Sequence, residues 1–589
     1  MTVQRTTVLG HSDTPDAENQ GSGIPNYLGA AAISPDGTTA WVPSKLDNVR
    51  RGALRNGLAL NFQNTVRAVS SVIDMTSVAE SAAARMDHDN ASMASAAAFD
   101  PLGVYLFVAL ETSREVAVVD AHGRWEIFRF DVGRAPQGLA VAADGSKIYV
   151  NNFMDRTVEV FDLQPLRRDG TADVPFIARI GAIGTERLSA QVLLGKQLFY
   201  DARDARLARD RYMSCASCHN DGGHDGRVWD LTGFGEGLRN TINLRGRDGA
   251  QGFLHWSNNF DEVQDFEGQI RNLAGGTGLM TNAAFATGTR AQPLGDAKAG
   301  VSADLDALAA YVSSLTTFDP SPLRTSGGAF TSDASLGREV FRKLNCAACH
   351  SGTEFTASGR NTLIDVGTRK SSSGQRLGAA LTGLDVPTLR DVWATAPYLH
   401  DGSAATLADA VRAHSGITVS SADMPRLVAY LQQIGAEDSA APQVAGSGTG
   451  LTASYFNNVT LSGNPAVTRT ETVNFKWGSN SPATGVNPDD FSVRWTGTVQ
   501  APATGSYRFQ TLSDDGVRLW LNGALVINNW TLHGATTDTS GWINLEAGQR
   551  YTITMEYYER GGLAVAALRW QRPGRTAFST IAADRLYRP

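Results

Sequence analysis

The four cysteines of this chain fall as two copies of one pattern, "CASCH" at 215–219 and "CAACH" at 346–350. Two thiols three positions apart, followed at once by an imidazole, have the spacing at which the thiols add to haem vinyl groups and the histidine binds the iron. Cys215, Cys218, Cys346 and Cys349 are therefore expected to attach two c-type haems covalently, with His219 and His350 as proximal iron ligands. A structural Cys₄ zinc site fits less well, because the pairs are far apart in the chain and each carries its own histidine. A thioredoxin-like redox pair explains one motif and not its second copy. One more imidazole stands out in "ATLADAVRAHSGI" at 405–417. Thr406 caps a short predicted helix, Leu407, Ala410 and Val411 form its apolar face, and His414 follows on that face before Gly416 ends it.

The elements that must hold these groups show two internal repeats. "LLGKQLF" precedes the first cysteine pair and "SLGREVF" the second, while "SADLDALAAYVSSL" at 302–315 matches "SADMPRLVAYLQQI" at 421–434, with Tyr311 and Tyr430 aligned. Helical periodicity in both closing segments predicts two mainly α cytochrome c-like domains, at 185–320 and 330–436. Upstream, "AAAISPDGTTAWVPS", "AAAFDPLGVYLFVAL" and "LAVAADGSKIYVNNF" each read as strand, glycine turn and strand. The last two are separated by about 40 residues, a blade-like period, and "NVRRGALRNG" lengthens the first interval. This resembles the YVTN-type propeller repeat and predicts a partial β-propeller of about three blades over 1–165, short of the roughly four to eight that close a ring. Small residues at 437–449 read as a linker. Beyond them, at 450–589, strands alternate, with Asn522-Gly523 marking a tight hairpin. The fold class is thus multidomain: partial propeller, two cytochrome-like domains and an all-β sandwich.

With 42% hydrophobic and 19% charged residues the chain is compositionally globular. A formal charge of −7 with no long run of one sign excludes nucleic acid and anionic membrane as evident partners, and no apolar stretch nears the roughly 18 residues of a membrane span. The start, "MTVQRTTVLGHSDTP", has no basic segment followed by an apolar run. Because covalent haem attachment takes place outside the bacterial cytoplasmic membrane, a periplasmic or extracellular protein with an incomplete N-terminus is expected.

From both C-x-x-C-H motifs, "DGR" at 225–227, "GLRNT" at 237–241 and "VPTLRDVWATAPYLHDGSAATLADAV" at 386–411, the region 185–435 resembles the bacterial di-haem cytochrome c peroxidases and the related MauG-type enzymes. The resemblance implies peroxide chemistry at the first haem, fed through the second by a redox protein or small electron donor. It places His414 at the second haem's sixth ligand, where the family has Met or Tyr, with Met424 as fallback; a second imidazole favours a lower potential than a thioether. It assigns an inter-haem calcium to Asn240, Thr395 and Pro397, a hard cation on oxygen ligands. It makes Trp256 the bridge between the haems. The family's distal acid is missing where "RNLAGGTGLM" supplies glycines, and Glu267, Gln269 and Glu262 are the nearest replacements, while His255 is an alternative sixth ligand of the first haem. His224 lies too close in sequence to His219 to reach the opposite ring face. Residues 450–585 resemble the PA-14 module through "GLTASYF", "VRWTGTV" and "GSYRFQTLSDDGVRLWLNG". That likeness implies a calcium and glycan site at Asp514 and Asp515. The expected function is peroxidase-type oxidoreduction. The alternative is a non-catalytic di-haem electron-transfer or glycan- and surface-binding cytochrome.

Overall fold

The computed structural model describes residues 3, 5–49, 65–245, 252–326, 328–352, 354–435, 446–502, 505–573 and 578–589. Most of the expected linker, and "NVRRGALRNG" from its third residue on, lie outside these. The chain divides into two compact units: Met1–Phe318 with Ser358–Val386 and Val392–Val428, and Asp319–Ala357 with Pro387–Asp391 and Ala429–Pro589. The first cytochrome-like region shares a unit with the β region before it, and the second cysteine motif shares one with the C-terminal sandwich.

In the first unit the N-terminal region is all β. Three antiparallel sheets follow one another: a six-stranded sheet centred on Thr39–Asp47 and Val66–Asp74, a meander of Ala94–Phe99, Tyr105–Leu110, Glu115–Asp120 and Trp125–Asp131, and a second meander from Pro136–Val141 to Phe176–Gly181. The quoted repeats share one turn. Gly37, Gly103 and Gly145 all take positive φ, at 72°, 72° and 70°, and each N–H returns to the carbonyl three residues back, of Ser34, Asp100 and Ala142. Left-handed backbone favours glycine, so the repeat is conformational as well as compositional. "YLFVAL" is buried at five of its six positions because neighbouring apolar side chains cover it on both faces.

The helix Ala190–Tyr200, capped by Ser189, packs along Ala303–Ser314, capped by Ser302. Their approach is close: a Cβ on Gly195 would stand 1.8 Å from the Ala307 carbonyl oxygen. Phe199 meets Tyr311 edge to face at 5.1 Å. In the second unit the helix Ser332–Lys343 repeats the pairing, Phe341 meeting Tyr430 at 5.4 Å. The quoted helix repeat is thus also a repeat of one aromatic contact.

The C-terminal sandwich stacks a seven-stranded and a six-stranded antiparallel sheet. Strands such as Val517–Leu521 bury alternate residues, and Trp495, Tyr455, Tyr507, Phe509 and Tyr557 fill the space between the sheets. Asn522 and Gly523 both take positive φ and join Val517–Leu521 to Ala524–Asn529, the two-residue hairpin their types dictate.

Candidate functional site

Each cysteine motif is a single tight turn that sets its histidine. In the first, Ser214 N–H donates to Ser217 Oγ at 3.1 Å and His219 N–H to the Cys215 carbonyl at 2.9 Å. The His219 ring then points Nδ1 at the Gly223 carbonyl, 3.1 Å away. In the second, His350 N–H donates to the Cys346 carbonyl at 3.0 Å, and Nδ1 meets the carbonyls of Pro387 at 3.1 Å and Phe355 at 3.3 Å. An imidazole whose Nδ1–H is held by a carbonyl carries its lone pair on Nε2, the nitrogen an iron takes. Burial also holds His219 below its ordinary pKa, so the ring is neutral. The four cysteines are unbridged, and burial pushes the Cys215 and Cys346 thiols up to about 11, the opposite of a redox-active thiolate. Two turns that set the same tautomer beside unbridged thiols fit a covalent haem at each motif.

The expected distal residues differ in what they hold. Glu267 is fully buried and committed: Oε1 takes Arg271 Nε at 2.8 Å and Met280 N–H at 3.2 Å, and Oε2 takes Leu279 N–H at 2.9 Å. Glu262 takes the N–H groups of Lys298 and Ala299. Both carboxylates thus hold loop backbone. Gln269 instead sits 3.4 Å from His255, Nε2 to Nε2. His255 Nδ1 lies 2.7 Å from Asn259 Oδ1, and Asn259 Nδ2 donates to Glu236 Oε1 at 2.5 Å. Glu236 is fixed in turn by Ser257 and by Arg239, whose Nε lies 2.8 Å away. Phe260 and Phe266 enclose the His255 ring. Burial holds this imidazole below its ordinary pKa against the pull of Glu236. The helix Glu267–Asn272 that carries Gln269 sends Ile270 into the cluster that Cys215 joins, and the following Leu273 into the one that Cys218 joins. The sequence singles out His255 and Gln269 but not Asn259 or Glu236; the signal for Asn259 is its spacing of four from His255 in "HWSNN".

Trp256 Nε1 donates to the Asn240 carbonyl at 2.9 Å, and its ring meets that of His400 at 6.3 Å. His400, absent from the expected set, is buried, lies 2.6 Å from Ser373 Oγ through Nε2, and accepts Asn240 N–H at its carbonyl. Asn240 Nδ2 reaches the Pro397 carbonyl at 2.5 Å, and Asn240 Oδ1 is buried without a hydrogen-bond partner. A buried amide oxygen beside a carbonyl is a donor set a calcium ion accepts. Thr395 stands half-buried two residues before Pro397. His224 spends Nε2 on the Ala394 carbonyl and Nδ1 on Gly226 N–H. The helix before His414 is shorter than expected, Leu407–Arg412 with the Thr406 cap: Ala413 N–H still reaches the Asp409 carbonyl, but His414 N–H turns to the Val411 carbonyl three residues back. His414 follows just beyond and holds the Ala410 carbonyl through Nδ1 at 2.8 Å. Met424 is buried. In the sandwich, Asp514 and Asp515 are joined by a cis peptide bond. Asp515 takes the N–H groups of His533 and Arg560 through its two oxygens, and burial followed by Asp515 raises the Asp514 carboxyl. Among the described residues no group of three or more His, Cys, Asp and Glu side chains forms a metal cluster.

Residues 189–318 match the family described as di-haem cytochrome c peroxidase, residues 383–418 the RoxA-like, cytochrome c-like family, and residues 447–583 the PA14 domain. The chain is 43% identical over 125 residues to anti-sigma-I factor RsgI3 of Acetivibrio thermocellus, a match spanning 21% of this chain and 19% of that one. It is 27% identical over 273 residues to hydrazine synthase subunit gamma of Kuenenia stuttgartiensis, across 40% of this chain and 72% of that one. It is 29% identical over 281 residues to cytochrome c551 peroxidase of Pseudomonas aeruginosa, across 41% and 77%. No described helix is long and apolar enough to cross a membrane. The chain thus joins an all-β N-terminal region to a di-haem cytochrome c peroxidase and MauG-type region with two covalently bound c-type haems, and ends in a PA14 domain.

Proposed function

We propose that this chain is a periplasmic or extracellular oxidoreductase that reduces peroxide at the first haem, with electrons from an external donor relayed through the second. The observation that carries the reading is the neutral His255 imidazole, oriented by Asn259 and Glu236 beside Gln269, whose helix shares apolar clusters with Cys215 and Cys218. When bound, haem supplies an iron that exchanges single electrons and a site at which an O–O bond is cleaved. The protein must move a proton from one peroxide oxygen to the other. His255 Nε2 suits this transfer, because with Nδ1–H directed at Asn259 it accepts a proton, and Glu236 steadies the resulting charge through the Asn259 amide. Gln269 Nε2 donates to the same nitrogen and aims it.

His219 and His350 would hold the two irons through Nε2, and His414, with its Nδ1 on the Ala410 carbonyl, would be the further imidazole offered to the second haem. Trp256 and His400 form the aromatic link between Asn240 and the rest of the site. Asn240 Oδ1 and the carbonyls near Pro397 and Thr395 would hold a calcium ion beside that link. The three N-terminal sheets read as blades of a partial propeller, and Asp514 with Asp515 as a calcium-assisted glycan contact.

Electron paramagnetic resonance of the oxidised protein tests the reading. A high-spin ferric signal beside a low-spin one, with turnover of hydrogen peroxide, is expected. Two low-spin signals that persist when one haem is reduced, without peroxide turnover, would establish His255 as a ligand and the chain as an electron-transfer cytochrome.

A further inference from the structure

The strand Thr39–Asp47 carries a buried ammonium onto the backbone of the first haem motif. Lys45 has no solvent exposure, and its Nζ donates to the Ser217 carbonyl at 2.6 Å, inside the turn that runs from Cys215 to His219. Nζ lies 2.9 Å from Asp47 Oδ1 and 3.7 Å from Asp225 Oδ2, and both partner side chains are fully buried. Arg227 Nε closes the cluster on Asp47 Oδ2 at 3.2 Å. The same stretch of backbone is held twice more: Ser217 Oγ lies 2.8 Å from Ser92 Oγ, and Tyr27 OH donates to the Cys218 carbonyl at 3.0 Å. Tyr27, Lys45, Asp47 and Ser92 all belong to the N-terminal β region, outside the residues that match the peroxidase family.

Burying a lysine is costly, and a methionine would fill similar space without that cost. Burial opposes the charge here, but Asp47 and then Asp225 outweigh it and hold the ammonium above its ordinary pKa. The fold thus maintains a cation at this place and directs it at the peptide between the two haem-bearing cysteines.

We propose that Lys45, supplied by the N-terminal β region, is a positioning and potential-setting residue of the first haem. Its hydrogen bond fixes the Ser217–Cys218 peptide, and its charge favours the reduced state of the iron held by His219. Lys45 and Arg227 face Asp47 and Asp225, so loss of Lys45 removes one of the two cations of this buried cluster beside the first motif. Charges in such surroundings are weakly screened, and burial and local polarity are among the levers a protein has on haem potential.

The proposal rests on haem occupying the first motif, which a pyridine haemochrome assay of the parent protein checks separately at two haems per chain. The test is a spectroelectrochemical titration of the full chain as Lys45→Met, Asp47→Asn and the double variant. One of the two steps falls in Lys45→Met by about tenfold in the equilibrium constant for reduction, which is 59 mV for one electron. That step rises by a comparable factor in Asp47→Asn and returns toward the parent in the double variant, while the other step stays put. Unmoved steps in both single variants, with both haems loaded, would overturn the proposal. So would shifts of the same sign in both, since loosened packing rather than charge would then be acting. Should Lys45→Met fail to mature, Asp47→Asn, which keeps the ammonium on Ser217, decides by the presence or absence of its rise.

Discussion

Asn259 is the link through which His255 reaches Glu236, and replacing it by leucine isolates that link. The change leaves the buried Nδ1–H of His255 without its acceptor at 2.7 Å and removes the Asn259 donor from Glu236, which keeps Ser257 and Arg239. An unsatisfied buried donor costs about 1–3 kcal/mol. The ring escapes this by moving its proton to Nε2, the wrong tautomer for accepting one from peroxide. At roughly 1.4 kcal/mol per factor of ten, kcat/KM for peroxide should fall by about 5- to 150-fold. His255→Phe removes the base altogether and should cost about 10²–10⁴-fold. The assay is stopped-flow oxidation of the reduced protein by peroxide, with haem content and the ferric spectrum as controls. Because Asn259 acts only through His255, the double variant should be no slower than His255→Phe alone. If the two losses instead multiplied, the relay reasoning would be refuted.

His414→Met should keep the second haem low-spin and raise its potential in a redox titration, since a thioether favours ferrous iron; an unchanged spectrum and potential would return His414 to a packing role. Asn240→Ala should lower the calcium retained after dialysis, read by elemental analysis, and make thermal stability insensitive to chelator. Gly195→Val should destabilise the first unit by more than about 3 kcal/mol in chemical denaturation, because its Cβ would collide with the Ala307 carbonyl and a helix must shift. Burial, reinforced by Arg239 and Lys370 and opposed by Asp401, lowers the His400 pKa from 6.5 to about 4. The folded state therefore disfavours the protonated ring: the stability it contributes is complete above pH 6.5 and is lost as pH falls toward 4. His400→Gln should flatten the denaturation midpoint across that window relative to the parent.

The haem residues are legible in the sequence because covalent attachment dictates their types and spacing, and no tertiary context can alter that. The β repeat is legible for a similar local reason, since each unit needs a left-handed residue at the same turn and uses Gly37, Gly103 and Gly145. The distal side is less so. Glu267 reads as an acid near the site, yet Arg271 four residues later is the contrary signal, an ion pair at helical spacing, and the loop at 279–280 that completes its coordination arrives only through the fold. Asn259 and Glu236 are polar residues of ordinary type whose meaning lies in the distances between them. Domain limits are harder still, because composition reveals linkers and says nothing about which surface a segment such as 319–357 prefers.

The second cysteine motif shares its compact unit with the sandwich, and Arg342, on the helix leading into it, pairs with Glu546 of the PA14 region at 2.6 Å. Expression boundaries drawn at the small-residue stretch near 440 would therefore cut through a folded body, not between two. A truncated cytochrome would lose the neighbour of its own second haem motif, and a fusion of the isolated sandwich would lack the helix that meets it. The sandwich and the second cysteine motif are thus to be produced and assayed as one body, not as a module on a string.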